Sequence, residues 1–278
     1  MFFSIVVPLY NKAYSIKRCI DSVLSQDFLD FELIVVNDGS TDNSLEIVKD
    51  NYGNDILKGV IKIVDQNNQG VSIARNNGVK LAQSNFICFL DADDEWKSDF
   101  LKNMAALINE FPEADLYSLA HLVSKNSSQP IKVKHGLPDD FHGYIDDFFN
   151  SSSQGCVVNS SKVCVRKKAL LYIGGFPAGV VAGEDLYVWI VLALNGNVAC
   201  SMRYSAIIHQ AIDNSRMSRE SSVPYPFVFF SKNKYIKKTK SLNKYLFFIF
   251  YKHLLSSLIR LKFKEAGLRI YYYLRVYV

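Results

Sequence analysis

The first 90 residues alternate between short apolar segments and amphipathic segments, and no other feature restricts the fold as strongly. Four apolar segments predict buried strands: FSIVVPLY (3–10), FELIVVNDGS (31–40), VIKIVDQ (60–66) and FICFL (86–90). Three amphipathic segments between them predict helices: 15–26, 40–51 and 70–83. Because strands that alternate with helices over short links form a parallel sheet with a helical layer on each face, we predict an α/β fold.

After Trp96 the alternation becomes less regular. Five further segments are assigned from their patterns: a helix over 98–111, a strand over 114–123, polar loops over 124–155, a strand followed by a helix over 162–176, and a helix over 183–196. The sequence shows no internal repeat. Its 278 residues suit one large domain, or one domain with an appendage.

The stretch FICFLDADDEW leads an apolar strand into four carboxylates within five positions, Asp91 to Glu95. Like charges this close repel one another and raise each other's pKa unless a positive partner lies among them. Residues two apart in an extended chain point to the same side, so Asp91 and Asp93 can face one ligand. Two carboxylates at a strand end suit Mg²⁺ or Mn²⁺, which complete their coordination with water and phosphates. The alternative is a solvated acidic turn before the next helix.

Polar clusters follow all four strands: Pro8 to Asn11, Asn37 to Ser40, Gln66 to Gly70, and Asp91 to Asp94. Ligands of parallel sheets bind beyond the carboxyl ends of the strands, so these clusters predict one shared crevice. Asp38 suits hydrogen bonds from a base or a ribose; the alternative is an ordinary Asp-Gly turn. Arg75 suits a phosphate or a carboxylate; the alternative is a surface salt bridge.

Acidic residues also begin the helix in GEDLYVW. Glu184 and Asp185 either complement the helix dipole or include a general base. His209 follows the last predicted core strand, where it would reach a metal or a diphosphate, or else be a packed or surface histidine. Arg216 is a further candidate for a phosphate contact.

Three segments in this order and spacing resemble the family-2 glycosyltransferases of the GT-A fold: SIVVPLYNKAYSIKRCIDSVLSQDFLDFELIVVNDGSTDNS, NNQGVSIARNNGVKLAQSNFICFLDADDEW and GEDLYVW. The likeness is dense from Phe3 to Trp96, thinner to about Arg216, and absent from the tail. It implies a GT-A-like, parallel-rich nucleotide-binding sheet flanked by helices. Three parts follow from it: a nucleotide-sugar-binding half (1–96), an acceptor-binding and catalytic-base half of the same domain (97–216), and a helical tail (217–278).

The resemblance also implies roles for individual residues. The nucleotide is expected to bind residues at the strand ends and around the crevice: Pro8, Leu9, Tyr10, Asn11, Asp38, Gly70, Arg75, Asp91 and Ala92. Asp91 and Asp93, with His209 as a further candidate, are expected to hold Mn²⁺ or Mg²⁺, and this ion would be the positive partner of the carboxylates. Asp185 is the expected catalytic base, with Glu184 in support.

The implied reaction is inverting transfer of a sugar from a nucleotide sugar, with UDP as the expected nucleotide. The acceptor is expected to be a hydroxyl of a glycan or a lipid-linked saccharide, in bacterial surface polysaccharide synthesis. The QxxRW motif of processive members is not found, which argues against polymer synthesis with extrusion. A metal-dependent phosphotransferase or nucleotidyltransferase, or an inactive module that binds an anionic surface, is the alternative.

The tail is strongly basic. From Lys232 to Val278 it contains twelve Lys and Arg residues and one acid, Glu265, although the whole chain carries a net charge of only +5. A helix over 242–267 would group apolar side chains on one face: Phe247, Phe250, Tyr251, Leu254, Leu258 and Leu261. Basic side chains on another face suit a helix lying on an anionic membrane surface. The alternative is packing on the catalytic body or on a second copy; nucleic acid is not a predicted partner.

The location follows from the cysteines and the hydropathy. Five cysteines without a CxxC spacing predict free thiols in a reducing compartment. No apolar stretch reaches the about 18 residues of a spanning helix, and the N-terminus is predicted to be a strand and not a signal peptide. We therefore expect a cytoplasmic protein, peripheral on the inner face of the cytoplasmic membrane.

Overall fold

A computed structural model describes residues 1–126, 128–210, 223–234, 236–259 and 261–277 of the chain. These residues form one ten-stranded mixed sheet with helices on both faces. The predicted α/β class is therefore confirmed.

The first half of the chain builds the parallel part of the sheet. Its elements are β1 (Phe3–Leu9), α1 (Ile16–Leu24), β2 (Phe31–Asp38), α2 (Ser44–Leu57), β3 (Ile61–Gln66), α3 (Val71–Leu81) and β4 (Phe86–Phe89). The strands lie in the order β3-β2-β1-β4, and each pair is parallel. All of β2 and nearly all of β1 are buried, as expected for strands covered on both faces.

Helix α2 begins later than predicted, at Ser44 instead of residue 40. The Thr41 N–H donates to Asn11 Oδ1 at 2.7 Å, and the Ala13 N–H donates to Asp42 Oδ2 at 3.1 Å. These bonds hold the chain after β2 in a turn against the chain after β1, so both polar strand ends have one fixed arrangement.

The second half extends the same sheet. Its elements are β5 (Glu95–Trp96), α4 (Phe100–Glu110), β6 (Ala114–Lys125), β7 (Ile131–Lys132), β8 (His142–Tyr144), α5 (Phe148–Ser152), β9 (Val163–Arg166), α6 (Lys167–Tyr172), α7 (Glu184–Asn195) and β10 (Asn197–Gln210). Strand β9 pairs antiparallel with β4 and with β6, and β6 pairs parallel with β10. The interval 124–155 contains the short elements β7, β8 and α5, so its prediction as loops throughout is wrong.

Each face of the sheet has its own hydrophobic core. On one face, side chains of α1 and α4, including Ile20 and Met104, pack on Ile5 of β1. On the other face, side chains of α3 and α7, including Ala74 and Trp189, pack with Val6 of β1. Burial on both sides stabilises the strands whose carboxyl ends carry the polar clusters.

The tail contains three described helices: Tyr225–Lys232, a long tail helix Lys240–Ile259, and a last helix Phe263–Arg275. The prediction of one helix over 242–267 is therefore wrong. Leu261 has a φ of +56°, in the left-handed region, which a right-handed helix cannot include. The chain changes direction there, so apolar positions on either side of Leu261 do not share one helical face.

One side of the long tail helix packs on the core that covers one face of the sheet. Leu242, Tyr245, Leu246 and Ile249 are buried in the same core as Trp189. Other apolar side chains of this helix are exposed: Phe247, Phe248, Tyr251, Leu255, Leu258 and Ile259. Packing on the body thus accounts for one face of the helix and leaves a second apolar face uncovered. Among the described residues, no helix is long and apolar enough to cross a membrane.

Candidate active site

A cavity of about 610 Å³ lies beyond the carboxyl ends of β1, β2 and β4, where the polar clusters predict a crevice. Most predicted site residues line it: Pro8, Leu9, Tyr10, Asn11, Asp38, Arg75, Asp91, Ala92, Asp93 and Asp185. Gly70, Glu184 and His209 lie outside its lining. Arg216 lies outside the described residues.

Arg75 binds two carboxylates from distant parts of the chain. Its Nη2 lies 2.8 Å from Asp91 Oδ1, and its Nη1 lies 3.2 Å from Glu184 Oε1. The guanidinium also lies 5.1 Å from the centroid of the Phe176 ring. Arg75 is only 3% exposed, so its contacts with these carboxylates are buried ion pairs and not a surface salt bridge. This fork fixes the end of β4 against the start of α7.

Lys12 and Arg18 supply further positive charge to the acidic cluster. Lys12 Nζ lies 2.8 Å from Asp93 Oδ2, and Arg18 Nη2 donates to the Asp93 carbonyl oxygen at 2.6 Å. Partial burial lowers the pKa of Lys12, but Asp93 and Tyr14 raise it above its ordinary value overall, so the ammonium is charged at neutral pH. The fold therefore contains its own cations for the carboxylates, in addition to the divalent ion that the sequence predicts.

Asp94 is buried and holds neighbouring segments together. Its Oδ2 accepts from Ser161 Oγ at 2.5 Å, and its Oδ1 accepts from the His209 N–H at 2.8 Å. Burial raises the pKa of Asp94 well above its usual range, and the charges of Asp93 and Asp91 raise it further. Asp94 thus connects β4 to the chain before β9 and to β10.

The His209 ring pairs with Glu95 and is not among the side chains that line the cavity. Its Nε2 lies 2.8 Å from Glu95 Oε1, and its side chain does not line the cavity. The structure therefore does not bring His209 together with Asp91 and Asp93. No group of three or more His, Cys, Asp or Glu side chains that would hold a metal occurs in the described ranges.

Asp38 holds the loop between β3 and α3. Its Oδ1 accepts from the Gln69 N–H and from Gln66 Nε2, both at 2.8 Å, and its Oδ2 accepts from the Gly70 N–H at 2.9 Å. Gly70, with a φ of +89°, is the N-cap of α3, the helix that carries Arg75. Both Asp38 and Gly70 therefore position α3 in addition to the nucleotide-binding role predicted for them.

Asp185 lies in the first turn of α7, half-buried in the cavity wall. Burial raises its pKa to about 6, and the neighbouring charge of Glu184 acts in the same direction, while Arg75 opposes the increase. A carboxylate with this pKa accepts a proton more readily near neutral pH than an ordinary aspartate does. This position and this pKa suit a general base.

Asp91 and Asp93 fit a divalent ion of the magnesium type. Each carboxylate uses one oxygen for its salt bridge, and both line the cavity. Two hard oxygen donors are enough for an ion that takes its other ligands from water and from substrate phosphates. The donor set does not suit an ion that needs a complete cage of protein ligands.

The sequence analysis does not include seven of the lining residues: Lys12, Tyr14, Val71, Asn159, Ser160, Ser161 and Ile208. Lys12 directly follows the polar cluster after β1, so the rule that ligands bind beyond the carboxyl ends of parallel strands also applies to it. Ser161 precedes β9, and its position depends on the antiparallel pairing of β9 with β4. No local pattern in the sequence indicates that pairing.

Comparison with known proteins establishes the family. The glycosyl transferase family 2 profile matches residues 4–161. This segment is more than half of the chain, so the chain belongs to glycosyl transferase family 2.

Two curated relatives differ in how much of them this chain covers. The glycosyltransferase GlyA of Streptococcus pneumoniae serotype 4 is 33% identical over 144 residues, which are 52% of this chain and 20% of GlyA. A Bacillus subtilis protein assigned by name to teichuronic acid biosynthesis, TuaG, is 26% identical over 217 residues, which are 78% of this chain and 82% of TuaG. This chain thus spans about a fifth of GlyA and most of TuaG.

Solved structures confirm the predicted GT-A-like fold. Residues 1–349 of TarS from S. aureus, crystallised with UDP-GlcNAc, match with a TM-score of 0.69 at 23% identity, over 88% of this chain and 69% of that one. The mannosyltransferase PcManGT from Pyrobaculum calidifontis, solved with GDP-Man and Mn²⁺, matches with a TM-score of 0.61 at 18% identity, over 99% and 85%. At these identities the likeness concerns the fold.

The raised pKa of Asp94 predicts that its charge is dispensable for folding. In Asp94→Asn, the amide oxygen can still accept from the His209 N–H, and the amide nitrogen can donate to Ser161. We expect this variant to lose about 1 kcal/mol or less of unfolding free energy in urea at neutral pH. Asp94→Ala leaves both partners unpaired and should lose about 2 kcal/mol or more. Equal destabilisation of the two variants would show that the fold needs the charged carboxylate.

Proposed function

We propose that this chain is a metal-dependent inverting glycosyltransferase that uses a nucleotide-diphosphate sugar, with UDP as the first candidate nucleotide. The observation that carries the proposal is the shared cavity in which Asp91, Asp93 and Asp185 meet. The family supports the reaction type. The name of TuaG and the TarS complex with UDP-GlcNAc support a saccharide acceptor in bacterial cell-surface polysaccharide synthesis and a UDP-sugar donor.

The donor is proposed to bind at the carboxyl ends of β1 and β2. Pro8, Tyr10 and Asp38 would contact the base and ribose, since they line the cavity at the carboxyl ends of β1 and β2. Lys12 and Arg75 lie beside the acidic cluster, where cationic side chains offset the charge of a diphosphate. Residues 1–96 would thus form the donor half, and residues 97–216 the acceptor half that carries the base.

Asp91 and Asp93 would hold Mn²⁺ or Mg²⁺ together with the diphosphate. When bound, the ion would supply positive charge that stabilises the leaving diphosphate. Arg75 keeps Asp91 in place from the protein side. The same residue binds Glu184, which directly precedes Asp185, so the donor side and the base are held by one guanidinium.

Asp185 would act on the acceptor. Its carboxylate takes the proton of an acceptor hydroxyl while that oxygen forms a bond to the anomeric carbon of the sugar. The bond between the anomeric carbon and the diphosphate oxygen breaks in the same step, and its electron pair leaves with the diphosphate. Attack on the face opposite the leaving group inverts the anomeric configuration, and the transition state resembles an oxocarbenium ion.

Release of UDP from a panel of UDP-sugars, assayed with a saccharide acceptor, tests the proposal. We expect turnover with Mn²⁺ or Mg²⁺, its loss in excess chelator, and its return when the ion is restored, because Asp91 and Asp93 are the proposed ligands. GDP-sugars form the comparison panel. Full activity in chelator would refute the metal role, and no turnover with any nucleotide sugar would refute the enzyme assignment.

Asp185→Asn tests the base. Asparagine has nearly the same shape but cannot take the proton, so we expect turnover to fall by about 10²-fold or more while UDP binding survives. Asp50→Asn, at an exposed position of α2, is the matched control. Wild-type turnover in Asp185→Asn, or a product that retains the anomeric configuration of the donor, would contradict the mechanism.

The pH dependence of kcat/KM is an independent test of Asp185 as the base. The deprotonated form of Asp185 is the active one, so kcat/KM should rise with pH through about 6 and then level off. Glu184→Gln removes a charge that raises the pKa of Asp185, so its acidic limb should move to lower pH. A limb that stays in place would mean that another group controls it.

The uncovered face of the tail is proposed to bind an anionic membrane surface. The exposed side chains Phe247, Tyr251 and Leu255 are apolar, and basic residues Lys244 and Lys252 lie on the same helix and are also exposed. Aromatic and aliphatic side chains beside lysines suit the interface of a bilayer with anionic lipids. This would place the enzyme on the inner face of the cytoplasmic membrane, close to a lipid-linked acceptor.

Vesicle flotation tests this placement without removing the tail, because deleting the long tail helix would expose the core that it covers. The wild type should float with phosphatidylglycerol vesicles and only partly detach at high salt. Phe247→Ser/Tyr251→Ser/Leu255→Ser should lose flotation and keep UDP release. The matched control Leu29→Ser/Leu57→Ser/Leu81→Ser changes three exposed leucines of the body and should float normally. A wild type that ignores vesicles but forms a dimer, lost in the tail variant, would assign the face to a second copy.

A further inference from the structure

The short tail helix Tyr225–Lys232 packs on α7, the helix that carries Asp185. Its side chains Phe227 and Phe230 are 1% and 0% exposed, and they belong to the same core as the side chains of α7. This helix lies beyond residues 4–161, the part of the chain that the family profile matches. A segment from outside the matched part is therefore built into the core beside the helix of the proposed base.

A backbone hydrogen bond joins the short tail helix to the turn that precedes α7. The Tyr225 N–H donates to the Ala182 carbonyl oxygen at 3.0 Å. Gly183, the N-cap of α7, comes next in the chain and has a φ of +76°, a conformation that favours glycine. A Cβ atom at Gly183 would lie 3.1 Å from the Tyr225 nitrogen and 3.3 Å from Pro224, so the two segments are in close contact. The tail thus holds the backbone just before Asp185.

Two aromatic rings of the short tail helix contact Tyr187 in the first turn of α7. The ring centroids of Tyr225 and Phe229 lie 5.1 Å and 4.8 Å from that of Tyr187, both in the edge-to-face arrangement that aromatic rings favour. Successive residues of an α-helix are rotated by about 100°, so Tyr187 lies roughly 200° around the helix from Asp185. The tail therefore supports the back of the turn that presents Asp185 to the cavity.

The position of Asp185 depends on this turn, because its carboxylate has little other support. Among the described residues, that carboxylate makes one hydrogen bond, in which Oδ1 accepts from the Leu186 N–H at 2.7 Å. Its neighbour Glu184, in contrast, is bound by Arg75. A general base must lie within about 2.6–3.2 Å of the atom whose proton it takes, so a displaced turn would lower turnover.

We propose that Tyr225 and Phe229 are positioning residues for the base: by packing on the first turn of α7, their helix holds Asp185 in the orientation that turnover requires. The inference rests on the proposed function, in which Asp185 takes the proton of the acceptor. The tail is then part of the machinery for turnover as well as the segment proposed to bind a membrane. Donor binding is independent of this contact, because the donor is proposed to bind at the carboxyl ends of β1 and β2.

Steady-state kinetics of Tyr225→Ala, made in the wild type and in Asp185→Asn, test this inference. In the wild type we expect kcat to fall about tenfold while KM for the donor and UDP binding stay the same, because only the base is displaced. In Asp185→Asn the same substitution should have little further effect, because residues that act as a unit do not give additive effects. Tyr225→Phe keeps the ring and should turn over as the wild type does.

Tyr272→Ala is the matched control. Tyr272 is also a half-buried aromatic residue of the tail that packs on this core, but its ring contacts Tyr271 of its own helix. This variant should keep the wild-type kcat. An equal loss of kcat from Tyr225→Ala in both backgrounds, or no loss in the wild type, would overturn the inference. If Tyr225→Ala does not fold, Phe229→Leu, which keeps apolar volume without the ring, takes its place with the same expectations.

Hydrogen exchange of backbone amides, followed by mass spectrometry without any substrate, separates this inference from the proposed function. Residues 182–188 should exchange about tenfold faster in Tyr225→Ala than in the wild type, and residues 44–57 of α2 at the same rate in both. Unchanged exchange at 182–188 would contradict the support of the turn by the tail. A failure of the proposed function would look different: the wild type would turn over no nucleotide sugar, whatever the exchange at 182–188.

Discussion

The balance of charge around the acidic cluster at the end of β4 is the constraint on which the site depends. Four carboxylates lie within five residues, and repulsion among them would open the strand end unless it were offset. Arg75 and Lys12 form ion pairs with Asp91 and Asp93, and Arg18 binds the Asp93 carbonyl oxygen. Burial and the charges of Asp93 and Asp91 raise the pKa of Asp94 well above its usual range, which favours the neutral carboxyl. The cluster is therefore stable before any ligand binds.

The same contacts connect the two proposed halves of the reaction. Arg75 joins Asp91, on the proposed donor side, to Glu184, which lies 109 positions after Arg75 in the chain. Glu184 in turn raises the pKa of Asp185, while Arg75 opposes that increase. A diphosphate bound beside Asp91 would therefore also change the pKa of Asp185, because one buried guanidinium contacts both Asp91 and Glu184. In the proposed reaction, binding of the donor and activation of the acceptor would thus be electrostatically linked.

The sequence predicts the crevice at the strand ends well, because that prediction depends only on local sequence patterns. Alternating strands and helices determine a parallel sheet, and residues that follow the strands, such as Pro8, Asp38 and Asp91, must then meet at one edge. The contributions of Ser161 and the partners of Arg75 are not predictable in this way. They depend on β9 entering the sheet antiparallel beside β4, and on α7 meeting α3 across a long separation in sequence. Local periodicity contains no information about either pairing.

The environment of the tail helix is also not determined by its sequence alone. The sequence is compatible with a membrane-binding helix and with a helix packed on the body. In the structure, Leu246 and Ile249 pack in the core while Phe247 and Tyr251, on the same helix, are exposed. The buried and the exposed side chains occupy different faces of one helix, so burial of one face does not exclude binding by the other. Packing on the body would assist the proposed surface binding, because it holds the apolar face in one orientation and so removes part of the entropy cost of docking.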